Sequence, residues 1–215
     1  MNASTRRMAA GAVLVGITLM AVAWTWRTLM APPAINLALH RGVGERFADE
    51  IAQSVGPNGQ LVLVTLERGT SPVLDAQFDA FQKRLGKWPG LEVVRTDEVD
   101  ASKGDKYGPG TGMSARRWQR LAEKHAEVDA IVSFIGTPDP KDLRLTNGAA
   151  GSGGKPGLYA VSRSPKELAP LLEAGVLKRA VVPRFTFPAP GPETPRTPEE
   201  WFMNRYQVVT PGAVK

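Results

Sequence analysis

VDAIVSFIGTPD, residues 128–139, is the stretch on which the fold turns. Val128, Ala130, Ile131, Val132, Phe134 and Ile135 are interrupted only by Asp129 and Ser133. Such a run suits a strand covered on both faces, as in parallel sheets flanked by helices. It breaks at Gly136-Thr137-Pro138-Asp139, a turn signal. Small polar groups therefore fall at a strand's carboxyl end, where open α/β sheets bind their ligands.

Outward from this strand the same alternation recurs. LVLVTLE (61–67) and LEVVRT (91–96) read as strands before it, GLYAVS (157–162) and VLKRAVV (176–182) as strands after it. Between them lie helical stripes. Ser71-Pro72 is an N-cap with proline at the first helical position, followed by Leu74, Phe78, Phe81 and Leu85. Ser114 opens a helix carrying Trp118, Leu121 and Ala122, and Ser164-Pro165 opens one carrying Leu168, Leu171 and Leu172. Further back, Ile35, Leu37 and Leu39 alternate as a very short strand, and Phe47, Ile51 and Val55 predict a helix that stops at Gly56. Strands separated by helices require right-handed crossovers. The expected fold is an α/β, doubly wound, mainly parallel five-stranded sheet of flavodoxin-like type, following one transmembrane helix.

The transmembrane expectation rests on residues 8–26, MAAGAVLVGITLMAVAWTW, 19 residues without a charge. About 20 apolar residues span a bilayer, whereas a secretory core is roughly 7–15 long. Pro32 and Pro33 follow Ala31, the best small residue, and disfavour cleavage there. Arg6 and Arg7 precede the run and Arg27 alone follows it, so the charge bias places the N-terminus in the cytoplasm. The expected location is a bacterial inner membrane with the α/β domain in the periplasm. The organisation is then a cytoplasmic N-terminus (1–7), an anchor (8–26), a linker (27–34), the α/β domain (35–182) and a proline-rich tail (183–215). In that tail Thr197-Pro198-Glu199-Glu200 is a capping box, and Trp201, Phe202 and Tyr206 are the aromatic candidates for docking or interaction. YQVVTP could add a last short strand.

Composition excludes several function classes. There is no cysteine among 215 residues, hence no disulfide, thiolate metal site or cysteine nucleophile. The net charge of +6 is half accounted for by Arg6, Arg7 and Arg27, and Arg116-Arg117 is the only arginine pair in the rest. No nucleic-acid partner is expected. SKGDKYGPGTG (102–112) and TNGAAGSGGKPG (146–157) lack phosphate-cradle spacing, and GVGERF (42–47) puts Phe47 where a dinucleotide turn needs its third glycine. No cofactor is expected. His40 and His125 are not spaced with carboxylates as a metal set, and no Gly-x-Ser-x-Gly elbow exists. Asp97, Glu98 and Asp100 read as a solvated acidic loop. No catalytic residue is assigned.

The order of elements resembles one lobe of the type I periplasmic-binding-protein superfamily, the sugar-binding and repressor-ligand-domain fold. Four stretches carry the resemblance: GQLVLVTLERGTSPVLDAQFDAFQKRL, VDAIVSFIGTPD, LLEAGVLKRAVV and EEWFMNRYQVVTP. Members of that superfamily clamp a ligand between two such lobes, and the roughly 180 residues after residue 34 have room for one. By position the resemblance implies Glu67, Arg68, Thr137 and Asp139 as ligand-binding residues.

Three functions follow from these readings. The first is a non-catalytic, membrane-anchored domain serving as accessory or interaction subunit of a membrane-bound assembly, with other membrane proteins or a second copy of itself as partners. The second is a tethered solute-binding protein taking a sugar-like small molecule. The third is an enzyme on a flavodoxin-like scaffold.

Overall fold

The computed structural model describes residues 15–27, 35–100, 112–143, 156–162, 168–184 and 195–212. The chain forms two compact units, residues 1–35 and 36–215. In the first unit, helix α1 covers residues 15–27. It exposes Val15, Ile17, Leu19, Met20, Val22, Trp24 and Trp26, each at least 56% accessible, so apolar side chains face outward all round. Among the described residues no helix is long and apolar enough to cross a membrane. Residues 8–14 of the expected anchor lie outside the described residues.

The second unit holds every side chain of the hydrophobic core, from Val43 to Val209. Its elements are α2 (Leu37–Val55), β1 (Gly59–Leu66), α3 (Pro72–Leu85), β2 (Leu91–Val99), α4 (Ala115–Lys124), β3 (Ala130–Ser133), β4 (Gly157–Val161), α5 (Ala169–Glu173), β5 (Leu177–Pro183), α6 (Pro198–Arg205) and β6 (Tyr206–Val209). The sheet has six strands rather than five, in the order β2-β1-β3-β4-β5-β6. The first five are parallel, and β6 runs antiparallel to β5 with Ala180 opposite Val209. The tail folds back after α6 and closes the sheet edge beyond β5. β2 also runs three residues past its expected end, because the β1 ladder continues through Leu66 opposite Val99.

The short strand expected at residues 35–39 does not form. α2 begins there instead. Asn36 Oδ1 accepts from the Leu39 amide at 3.2 Å and starts the helix, and Val43, Phe47 and Ile51 bury one stripe of it. Gly42 and Gly44, which resemble turn residues, are contact residues. A Cβ at Gly42 would stand 2.0 Å from the Pro198 carbonyl oxygen, and one at Gly44 2.0 Å from that of Gln77. Only a hydrogen at those positions lets α6 and α3 lie against α2.

The expected caps form. Ser71 Oγ accepts from the Leu74 amide, Ser114 Oγ from Arg117 and Thr197 Oγ1 from Glu200. Glu200 returns a carboxylate oxygen to the Arg196 amide at 2.7 Å. Ser164 and Pro165 lie outside the described residues, but Leu168, Leu171 and Leu172 are buried as their stripe predicted. The crossover from β1 leads one way, to β2, and the crossover from β2 leads back past β1 to β3. With right-handed connections α3 and α4 therefore cover opposite faces. α2 packs on α3 and α6, so those three helices share one layer.

Candidate functional site

The strand order reverses between β1 and β3, and in doubly wound sheets that switch point opens a crevice at the carboxyl ends. Glu67 and Arg68 leave β1 there; Gly136 to Asp139 leave β3. The topology thus brings the four sequence-predicted residues to the two sides of one switch point. Their side chains are not equivalent.

Glu67 is exposed, and its amide donates to the Val99 carbonyl at 3.1 Å, carrying the β1–β2 ladder one step past the strand. Arg68 turns onto α3. Its guanidinium lies 2.5 Å from Asp79 and 3.7 Å from Asp75, with the cation 5.3 Å from the centre of the Phe78 ring. The hydrogen bond to Asp79 raises its already high pKa, so it is a permanent cation held by its own helix. Asp75 also accepts from the Gly69 amide at 3.1 Å, which ties the β1–α3 turn to the same carboxylates. Outside this turn an open groove of about 490 Å³ runs between α2 and α3, lined by Leu37, Arg41, Pro72, Asp75 and Asp79 among others.

On the β3 side, Thr137 is half-buried and Asp139 exposed. Asp139 is a turn-maker. Its Oδ1 accepts from the Lys141 amide at 2.9 Å, and its carbonyl accepts from Asp142 and Leu143.

Four residues to which the sequence reading gave no role at the site, Phe134, Ser133, Gly112 and Met113, fill the switch point. Phe134, 1% accessible, packs edge-on against Phe47, Phe78 and Phe81 at centroid distances of 5.2–5.7 Å. Ser133 is fully buried, and its hydroxyl donates to the Gly136 carbonyl at 2.6 Å, turning the chain out of the strand. The segment entering α4 then lies against the segment leaving β3. Gly112 N–H donates to the Ile135 carbonyl at 3.0 Å, Met113 N–H to Thr137 at 3.2 Å, and Met113 is 3% accessible. Gly112 has φ +81°, and a Cβ on it would meet the Thr137 oxygen at 2.2 Å. The floor at the switch point is therefore packed core, and its polar rim is made of loops. The signal for Phe134 was in the sequence: it belongs to the apolar run of residues 128–135, which is buried on both faces.

The aromatic residues of the tail are used inside the domain. Phe202 is 2% accessible and Tyr206 stacks on it at 6.1 Å, while Trp201 is half-buried. The acids after LEVVRT are not a loop, since Asp97 and Glu98 belong to β2. Asp97 meets Arg95 at 2.5 Å, His125 Nε2 at 3.7 Å and Lys124 at 4.0 Å. Burial pushes its carboxyl upward, but the Arg95 hydrogen bond and the neighbouring cations more than offset this and hold it low. This set fastens the edge strand to the end of α4, where cations also suit the helix dipole. Among the described residues no group of three His, Asp or Glu side chains converges on a metal-sized site.

No family model matches the chain. No curated protein sequence matches it either. Solved structures do share its fold. One is a solute-binding protein of an ABC transporter from Burkholderia graminis, crystallised with D-arabinose, at 20% identity and a TM-score of 0.50. It covers 66% of this chain and 47% of its own. Another is a carbohydrate-transporter solute-binding protein from Agrobacterium radiobacter, also with D-arabinose, at 17% identity and a TM-score of 0.50, covering 67% and 47%. The chain spans about half the length of these structures. Its fold is that of a periplasmic-binding-protein-like lobe, as the resemblance implied.

Proposed function

We propose that residues 36–215 form a solute-binding lobe of sugar-binding type, held at the periplasmic face of a bacterial inner membrane by residues 8–26. The observation that carries the proposal is the placement of Glu67 and Asp139 on opposite sides of the β1/β3 switch point, in the fold of proteins that carry D-arabinose. A pentose presents several hydroxyls on adjacent carbons, each a donor and an acceptor. Carboxylates accept from such pairs, and the Thr137 hydroxyl can do either. Because the floor is packed core, the solute is gripped by the rim loops. Arg68 positions the β1–α3 turn and contacts no solute. Nothing in this arrangement requires catalysis.

The test is calorimetric titration and thermal shift with D-arabinose and a panel of pentoses and hexoses. A sugar at a hundred times its Kd stabilises the domain by about 2.7 kcal/mol, and Glu67→Gln with Asp139→Asn removes that shift while leaving the unliganded Tm within a few degrees. If no sugar moves the Tm at millimolar concentration, the solute reading falls. Stoichiometric co-migration with other membrane proteins on a native gel would then favour an accessory subunit of a membrane assembly.

A further inference from the structure

α2 reaches the switch point from the helix layer. It ends at Val55 and β1 begins at Gly59, so the helix closes at the amino edge of the sheet and starts at the carboxyl edge. Its first turns stand beside the β1–α3 turn, because Leu37 and Arg41 line one groove with Gly69, Pro72 and Asp75. Further along, Phe47 packs edge-on against Phe134 at the end of β3, with centroids 5.7 Å apart. His40 lies on the same helix stripe as Phe47, two turns nearer the start. It therefore stands about 10 Å further out than Phe47, beyond the last residues of β3 and beside the crevice.

The ring of His40 is held in one protonation pattern. Its Nδ1 lies 3.4 Å from Nε2 of Gln77, a residue only 3% accessible. An amide nitrogen donates and does not accept, so Nδ1 is the acceptor and the ring proton sits on Nε2. Burial lowers the pKa of His40, so at neutral pH the ring is uncharged and carries that one N–H. Nε2 has no hydrogen-bond partner among the described residues and is open to solvent. The rim is short of such a group. The carboxylates of Glu67 and Asp139 accept, and Arg68 is committed to Asp75 and Asp79. A cyclic sugar offers several hydroxyls to acceptors of this kind, but its ring oxygen can only accept.

We propose that His40 is a solute-contacting residue of this site, donating its Nε2–H to the ring oxygen of a neutral cyclic sugar. Gln77 is the positioning residue that keeps the proton on Nε2. Both roles rest on the reading of the switch point as a sugar site.

The test is calorimetric titration of the full-length chain in detergent with D-arabinose and with its carbocyclic analogue, in which a methylene replaces the ring oxygen. If the sugar panel selects another pentose, the matching pair of that pentose is used. The wild type should bind the sugar roughly 3- to 10-fold tighter than the analogue, the worth of one neutral hydrogen bond. In His40→Phe that preference disappears. A merely structural loss weakens both ligands alike and leaves the preference intact, and that result overturns the proposal. So does a wild type that binds the two equally. A wild type that binds no sugar removes the solute reading and this contact together. The proton is read separately. The chain has two histidines, His40 and His125, so His40→Phe assigns the ring signals in nitrogen-15 NMR. The expected ring is neutral and protonated on Nε2, drifting towards a tautomer mixture in Gln77→Leu. A proton on Nδ1 requires the Gln77 amide turned over, with the now unpartnered Oε1 facing the ring, and overturns the donor assignment. Unchanged shifts in Gln77→Leu overturn the role of Gln77.

Discussion

Phe134→Ala separates a filled switch point from an open one. Phe134 is 1% accessible and meets three aromatic rings edge-on, two of them, Phe78 and Phe81, on α3 and one, Phe47, on α2. Removing a buried phenyl ring costs about 3–5 kcal/mol when the surroundings cannot collapse. Part of that loss is the edge-to-face attraction, about 0.5–1.5 kcal/mol per aromatic pair. Collapse is hindered here, because the rings around Phe134 belong to two helices already fixed by the close Gly44–Gln77 crossing. The upper half of the range is therefore expected, and in a unit of this size it lowers Tm by roughly 8–20 °C. The assay is urea unfolding of residues 36–215, which contain the whole core, followed by fluorescence and circular dichroism. Phe134→Leu should recover more than half of the loss. A cost below about 1 kcal/mol with an unchanged m-value would refute the reasoning. If sugar affinity fell at the same time, Phe134 would be a stacking platform in an open crevice.

Gly112→Ala should destabilise by at least the roughly 1–2 kcal/mol of a left-handed non-glycine residue, with faster hydrogen exchange at the Met113 amide; unchanged exchange would show that the loop does not depend on the contact with Thr137. Glu50 is 4% accessible and is the carboxylate shared by Arg46 and Arg179. Glu50→Ala leaves Arg179 half-buried without its partner and should cost about 3 kcal/mol, Glu50→Gln less, both read by denaturant titration. Burial lowers the pKa of His40, whose Nδ1 lies 3.4 Å from the Gln77 amide nitrogen. Its unfolded form therefore binds protons first, and stability should fall as pH drops through 6.5 and on towards the lower folded pKa, a slope that His40→Gln removes. Asp97 is lowered as well, so its contribution is present above 3.8 and is lost at still lower pH. A pH-independent Tm between 7 and 5 in the wild type would contradict the His40 assignment.

The parallel sheet was legible because β1, β3 and β4 are nearly uninterrupted apolar runs, and burial on both faces of a strand leaves that mark in composition. The caps at Ser71, Ser114 and Thr197 were legible for a different reason. A side-chain oxygen that accepts from an amide three residues on is a local event, written within four letters. α2 was harder to see. Its first turn offers only Ile35, Leu37 and Leu39, too few residues to separate a period of 2 from one of 3.6. Its two glycines read as turns because the reason for them lies in Pro198 and Gln77, far away in the chain. The direction of β6 was equally distant information, since it depends on where α6 docks.

At the candidate site the strand order fixes which loops meet, whereas the four residues were picked by position from the family resemblance and not from the strand pattern. The fate of each side chain was not foreseen, although for Arg68 the clue was present: Asp75 and Asp79 lie one turn apart on α3 and face the residue that precedes the helix. Two carboxylates beside one guanidinium outcompete a neutral solute for it, because charge-assisted hydrogen bonds are the stronger ones. Removing Arg68 from the solute contacts leaves the carboxylates of Glu67 and Asp139, which accept, and the Thr137 hydroxyl, which can donate or accept. Such a rim favours a ligand rich in donors and repels an anionic one. On the proposed reading a neutral pentose should therefore bind and its phosphate ester or uronic acid should not. Tighter binding of the acid form would return Arg68 to the site and place its pairing with α3 among the contacts that a ligand displaces.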